Sequence, residues 1–230
     1  MRKQQHSITE SDVLYEDNHV IILNKKPSEI VQVDEGGDEP LCEKVKAFLK
    51  KKYNKQGNVF LGVTHRLDRP VSGAILFAKT SKALTRLNAM FQAKTIQKTY
   101  WALTLKQPRD KEALLKHYLV KDRTKNKTKA YRENVPNSKY SELRYKLIEK
   151  INANALLEVT PLTGRSHQIR TQLASIGCSI KGDLKYGATE PNPDKSICLH
   201  SRKIEFIHPV NKQNISVIAP LHKNDYWGIK

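Results

Sequence analysis

Cysteine is scarce in this chain: Cys42, Cys178 and Cys198 lie far apart and are odd in number. That excludes a disulfide framework, and no Cys-x-x-Cys spacing offers a metal site. Packing in a reducing cytoplasm is the expected role of all three thiols. Long hydrophobic runs and lipidation motifs are also missing, which argues against a membrane role. The first residues, Met1-Arg2-Lys3-Gln4-Gln5-His6, have none of the apolar character of a signal peptide. The TGRS stretch at 163–166 has neither the glycine spacing nor the lysine of a phosphate loop. No dinucleotide fingerprint, Cys/His zinc set or Gly-x-Ser-x-Gly nucleophile elbow occurs. Either cofactor-free acid–base or nucleophilic chemistry remains, or no chemistry at all.

Acidic residues are short as well: 23 against 41 lysines and arginines, a formal charge of +18. A charge of that size argues for an acidic partner. Nucleic acid leads, because neutralising phosphates supplies most non-specific binding energy. The 230 residues suit one large domain better than two small ones.

Patterning along the chain predicts more strands than helices. Val13-Leu14-Tyr15 and Val20-Ile21-Ile22-Leu23 read as strands around a turn at Asp17-Asn18-His19. A Gly-rich acidic loop follows at 34–40, then a helix on Leu41, Val45, Phe48 and Leu49. The apolar stretch at 74–78 predicts a buried strand. Ser81 is expected to cap a second helix with Leu84, Leu87, Met90 and Phe91 on its apolar face. Residues 97–105 return to strand composition. The lysine-rich region 106–138, with a basic run at 121–132, reads as hairpins or an exposed loop inserted within the domain. Further strands are expected around Leu143 to Leu147, Leu157 to Val159, 198–206 and 215–218. A third helix is expected over 166–176, stopping at Gly177. The sum is an α+β fold with a mixed, largely antiparallel sheet.

Chemistry concentrates in three segments. HRLDRPVSG at 65–73 sets Asp68 between Arg66 and Arg69, on a loop that Pro70 and Gly73 keep from becoming a helix. Positive neighbours favour an ionised carboxylate, as a nucleophile or charge-stabilising group requires. PLTGRSHQIR at 161–170 places His167 and Arg170 three apart, on one face of the third helix, with Ile169, Leu173 and Ile176 on the buried side. An arginine there can hold a carboxylate bidentately. KTYWAL at 98–103 puts Tyr100, a donor or stacking plane, in an apolar strand.

With NKKPSEIV at 24–31, KGDLKYG at 181–187 and LHSRKIEFIHP at 199–209, these segments resemble the RluA-type RNA pseudouridine synthases, in order and over about 13–219. The resemblance implies a single catalytic domain with a bent, mixed, mostly antiparallel sheet, flanking helices and a central RNA-binding cleft. It implies isomerisation of uridine to pseudouridine in ribosomal or transfer RNA, with no cofactor and no metal. Asp68 matches the essential aspartate, Tyr100 the active-site tyrosine, and Arg170 the aspartate's basic partner. Arg66 matches an arginine that fills the space left by a flipped base. His65, Arg69, Arg165 and His167 complete the expected RNA-contacting set. Structural contacts weigh against that role for His65, His167 and above all Arg69. Val71, Ser166 and Ser28-Glu29 depart from the usual threonine, threonine and Ala-Gly of the family. No separate N-terminal RNA-binding domain is expected. A cytoplasmic monomer acting on an RNA stem-loop is the resulting expectation. Two rivals stand beside it: a non-catalytic RNA-binding protein on the same fold, and an N-glycosidase. The second would call for two carboxylates, and Asp183 is the aspartate that these segments offer beside Asp68.

Overall fold

A computed structural model describes residues 7–33, 37–223 and 225–228. The N-terminal residues 1–6 and the first three positions of the acidic loop at 34–40 therefore lie outside the described residues. The chain divides into two compact units, Met1–Ile96 with Ile204–Pro220, and Gln97–Lys203 with Leu221–Lys230.

In the first unit, β1 (Val13–Glu16), β2 (Val20–Lys25) and β4 (Ser72–Ala78) are antiparallel neighbours, with the short β3 (Gly62–Val63) also on β4. β10 (Leu199–Ile207), of which residues 204–207 belong here, lies beside β4 and carries β11 (Asn214–Ile218). The turn from β1 to β2 is built by Asp17, whose Oδ1 accepts from the amides of His19 at 2.7 Å and Val20 at 2.8 Å. Every residue of β2 and β4 is buried, so the apolar runs at 20–23 and 74–78 follow from being covered on both faces. One face, Val20, Ile22, Ala74, Leu76 and Ala78, packs with Ala83 and Leu87 of α2 (Ser81–Gln92). Burying each large aliphatic contributes about 1.5–3 kcal/mol, which makes β4 a stiff support for the loop that precedes it. Gly62 of β3 lies close against α2; a Cβ there would stand 2.8 Å from Leu84. α1 (Leu41–Lys52) buries Leu41, Val45 and Leu49, as its periodicity predicts.

The second unit is an antiparallel run in the order β5-β9-β8-β6-β7. Its strands are β5 (Gln97–Thr104), β6 (Glu112–Asp122), β7 (Lys127–Tyr131), β8 (Lys139–Ile151) and β9 (Asn154–Pro161). Residues 199–203 of β10 belong to it. The polar region 106–138 is thus mostly one long hairpin, β6–β7, as the hairpin reading expected. α3 (Gln168–Ser175) buries six of its eight residues, including the polar Gln168, Arg170, Thr171 and Gln172.

The α+β class with a mostly antiparallel sheet is therefore what forms. Three local expectations change. Thr80, and not Ser81, caps α2, its Oγ1 accepting from the Ala83 amide at 3.2 Å. α3 starts at Gln168 because His167 takes a left-handed φ of 53°, so His167 precedes the helix and shares no face with Arg170. Ile176, expected on the buried side, lies just past the helix and is 37% exposed.

Candidate active site

The loop between β3 and β4, residues 64–71, holds His65, Arg66, Asp68 and Arg69. It is pinned to β4 at its start. Thr64 Oγ1 donates to the Leu76 carbonyl at 2.6 Å, and His65 Nε2 accepts from the Leu76 amide at 3.0 Å. An accepting Nε2 places the imidazole proton on Nδ1 in this geometry. The ring also rests on Phe91, 5.0 Å between centroids. His65 therefore works as a clamp on β4. Leu67 is a buried peg, and the Val71 amide donates to the Asp68 carbonyl at 3.0 Å across Arg69-Pro70. Between these anchors Arg66 is exposed and Asp68 half-buried.

Lys25, the last residue of β2, lies fully buried beneath this loop. Its Nζ donates to three carbonyls: Val71 at 2.6 Å, Lys26 at 2.9 Å and Arg69 at 3.2 Å. Burial pushes this ammonium down to about 7, while the charges of Glu29 and Asp68 act to retain its proton and Arg69 opposes them. The lysine thus sits in the field of Asp68 while tying down the residue next to it. Arg69 is held twice more, its carbonyl by the Ser28 amide at 2.9 Å and its guanidinium by Asp38. This supports the structural reading of Arg69. Glu29 accounts for half of the Ser28-Glu29 departure: it accepts from the Lys26 amide at 3.2 Å and pairs with Lys44 of α1 at 3.2 Å.

In the second unit Tyr100 is buried on β5, in register with Val159 of β9. Arg170, on α3, is also buried. Its Nε and Nη2 form a bidentate pair with Asp183 at 2.7 and 2.8 Å, which does not use Nη1. The guanidinium lies over the Tyr186 ring, 4.9 Å from its centroid. The Tyr186 hydroxyl accepts from the Thr128 amide at 2.8 Å and is hydrogen-bonded to His167 Nδ1 at 2.8 Å. Burial raises this phenol above the usual tyrosine range, although the Thr128 amide and the Arg170 charge act to lower it. His167, expected to touch RNA, makes its contacts here with Tyr186. Arg165 is exposed in the turn before α3, with Nε donating to the Tyr140 carbonyl at 3.2 Å.

Each unit therefore assembles part of the expected set. Asp68, Arg66, His65 and Arg69 share one loop; Arg170 and His167 converge on Tyr186. Sequence reasoning missed Lys25, Asp183 and Tyr186 as supports. A lysine closing the apolar run of β2 was a signal for the first. The spacing of Asp183 and Tyr186 within KGDLKYG was available for the others.

The family model described as RNA pseudouridylate synthase matches residues 19–175. The chain belongs to this family. Its type is the RluA type that the motifs resemble. The chain is 33% identical over 215 residues to the ribosomal large subunit pseudouridine synthase C of Vibrio vulnificus, covering 91% of this chain and 65% of that protein. It therefore spans slightly less than two thirds of that relative. It is 32% identical over 215 residues to the uncharacterized RNA pseudouridine synthase YhcT of Bacillus subtilis, covering 92% of this chain and 68% of that one. Among solved structures, human RNA pseudouridylate synthase domain containing 4 superposes with a TM-score of 0.77 at 20% identity, over 93% of this chain and 89% of that one. That likeness concerns the fold. Among the described residues no helix is long and apolar enough to cross a membrane.

Proposed function

We propose that the two units act as one RNA pseudouridine synthase domain, isomerising uridine in RNA to pseudouridine. The observation that carries the reading is Asp68, half-buried on a loop fixed by Lys25, His65 and Leu67, in a chain of this family. The Asp68 carboxylate opens the N-glycosidic bond, by attacking the sugar carbon or by taking a sugar proton. The uracil leaves as an anion, turns, and rejoins the same sugar through carbon 5, with the carbon-5 proton lost to a base. Both fragments are retained, so this chemistry calls for no metal or cofactor. Tyr100 stacks on the uracil, since an ordinary phenol with a pKa of about 10 is a poor base at neutral pH. Arg170, held rigid by Asp183 and Tyr186, supplies the cation of the proposed catalytic set. Arg66, exposed on the same loop, fills the space of the flipped base and offsets part of the unstacking cost.

The substrate favoured is ribosomal RNA, because several relatives are named as ribosomal large subunit enzymes; transfer RNA is the second reading. A reducing cytoplasm fits three buried free thiols. The test is Asp68→Asn, assayed for pseudouridine by mass and by mapping of ribosomal and transfer RNA with and without the protein. RNA binding should persist and product should vanish. Undiminished product from the variant would sink the assignment, and loss of RNA mass with the wild type would indicate a glycosidase instead.

A further inference from the structure

The basic hairpin β6–β7 takes no part in the chemistry above, yet it forms one wall of an open groove of about 570 Å³ within the second unit. Lys121 near the end of β6, Arg123 in the turn just beyond it, Lys139 from the start of β8 and Arg165 from the turn before α3 all line it. Buried Leu119, Gly164 and Ser166 also line it. All four cations are exposed, and among the described residues none of them has a carboxylate partner. The hairpin's own acid, Asp122, is committed to the tip, where it accepts from the Thr124 hydroxyl at 2.7 Å and the Lys125 amide at 3.0 Å. Four unneutralised charges around one groove repel one another within a Debye length of about 8–10 Å. A polyanion lying along the groove removes that repulsion.

The groove is also fixed in place. Buried Thr128 of β7 donates from Oγ1 to the Ser166 carbonyl at 3.1 Å, and its own carbonyl accepts from Thr171 Oγ1 at 3.1 Å. Its amide donates to Tyr186, the tyrosine under Arg170. A ligand held against the hairpin is thereby held at a set distance from the segment that carries Arg170. Arg165 is oriented through its Nε bond to Tyr140, leaving its terminal nitrogens for the groove.

We propose that this groove binds the sugar–phosphate backbone of the substrate RNA and sets the register of the target uridine, a reading that rests on the pseudouridine synthase assignment. Its openness and its cations spread over three chain segments suit an extended run of phosphates and not a single small anion. Recognition here is independent of base sequence.

The experiment measures binding of a fluorescein-labelled RNA stem-loop as a function of salt. The variant Lys121→Ala/Arg123→Ala/Lys139→Ala removes three groove cations. The slope of log affinity against log salt should fall by about two to three. Between about 50 and 200 mM salt the variant should then lose about 16- to 64-fold less affinity than the wild type loses. Lys50→Ala/Lys51→Ala/Lys55→Ala removes the same charge from exposed positions at the end of α1 and just beyond it, and should leave the slope unchanged. Gly164→Glu adds an opposing charge at a position where a Cβ meets nothing within 4 Å, and should weaken binding with the thermal midpoint kept. Equal slope changes in both triple variants would assign the effect to net charge and overturn the proposal. So would an unchanged slope in the groove variant, or loss of binding to polyglutamate with RNA binding kept. Product formation is read separately: wild type that binds with the full slope but forms no pseudouridine overturns the reaction and leaves the groove standing.

Discussion

Lys25 Nζ lies 2.6 Å from the Val71 carbonyl oxygen, so a buried ammonium ends β2 and bolts it to the loop that carries Asp68. Few arrangements are as costly as an ammonium out of water, and here three carbonyls and nearby carboxylates offset that cost.

Replacing this residue separates its two roles. Lys25→Met keeps the length but leaves buried carbonyls without a donor, at about 1–3 kcal/mol each. The expected outcome is a loss of several kcal/mol in urea unfolding and a fall in kcat larger than any change in KM, because the loop holding Asp68 loosens. The pH dependence supplies a second check. The native value of about 7 lies below the unfolded lysine's 10.5, so the unfolded state binds more protons between them. Stability from this group is therefore complete above about 10.5 and is lost as pH falls towards 7. Wild type should gain on Lys25→Met by up to about 1.4 kcal/mol per pH unit above about 7. Parallel stability–pH curves for the two proteins would contradict this.

Asp183 and Arg170 form a second buried pair. Asp183→Asn leaves the guanidinium without its counter-charge and should destabilise the protein by about 3–5 kcal/mol. Tyr186→Phe removes only the hydroxyl that meets Thr128 and His167, and should cost about 1–2 kcal/mol. Chemical denaturation of both variants tests the order. A Tyr186→Phe loss exceeding that of Asp183→Asn would mean that the hydroxyl's hydrogen bonds, and not the ion pair, hold α3.

Ser28 adopts a left-handed φ of 70° in the turn whose amide bonds Arg69. A side chain in that region costs about 1–2 kcal/mol, of which glycine recovers part while adding unfolded-state entropy. Ser28→Gly should raise stability by about 0.5 kcal/mol, seen as a small upward shift in thermal midpoint with activity kept. A lowered midpoint would show that the serine side chain supports the turn.

Asp17 closes the β1–β2 turn through two amides, and its Oδ2 lies 2.9 Å from Nε2 of buried His208. Burial works against its charge, but the two amides, Tyr15 and His208 hold the carboxyl below the usual range. Its stabilisation is present above the unfolded aspartate value of about 3.9 and is lost as pH falls through the lower native one. The gap between wild type and Asp17→Asn should be constant near neutrality and close at acid pH, in urea titrations at a series of pH values. A gap that survives at pH values below both would assign the effect to shape and not to charge.

Much of the fold was legible because local patterns agree with tertiary placement. The runs at 20–23 and 74–78 are apolar since both faces are covered, and α1 buries Leu41, Val45 and Leu49 of the stripe its spacing predicts, with Phe48 half-buried. The boundaries that moved did so for local geometric reasons. Thr80 competes with Ser81 for the same cap, and His167 turns left-handed to meet Tyr186, which no periodicity in the sequence reveals.

The site follows the same division. Asp68, Tyr100 and Arg170 are proposed for the chemistry because residue type and motif order single them out, whatever surrounds them. The family, the fold class and the need for an acidic partner were likewise determined by the sequence alone. Tertiary structure alone decided which groups support that chemistry: Lys25 under the Asp68 loop, Asp183 on Arg170, and a groove made of Lys121, Arg123, Lys139 and Arg165. The reason is that burial and convergence set the energy of a charge. A lysine reads the same in sequence whether it faces solvent or three carbonyls. HRLDRPVSG was read as one aspartate between two arginines. The structure makes it a loop in which Arg69 is a structural tie, Arg66 is exposed, and the positive charge beneath the loop is Lys25, from another strand.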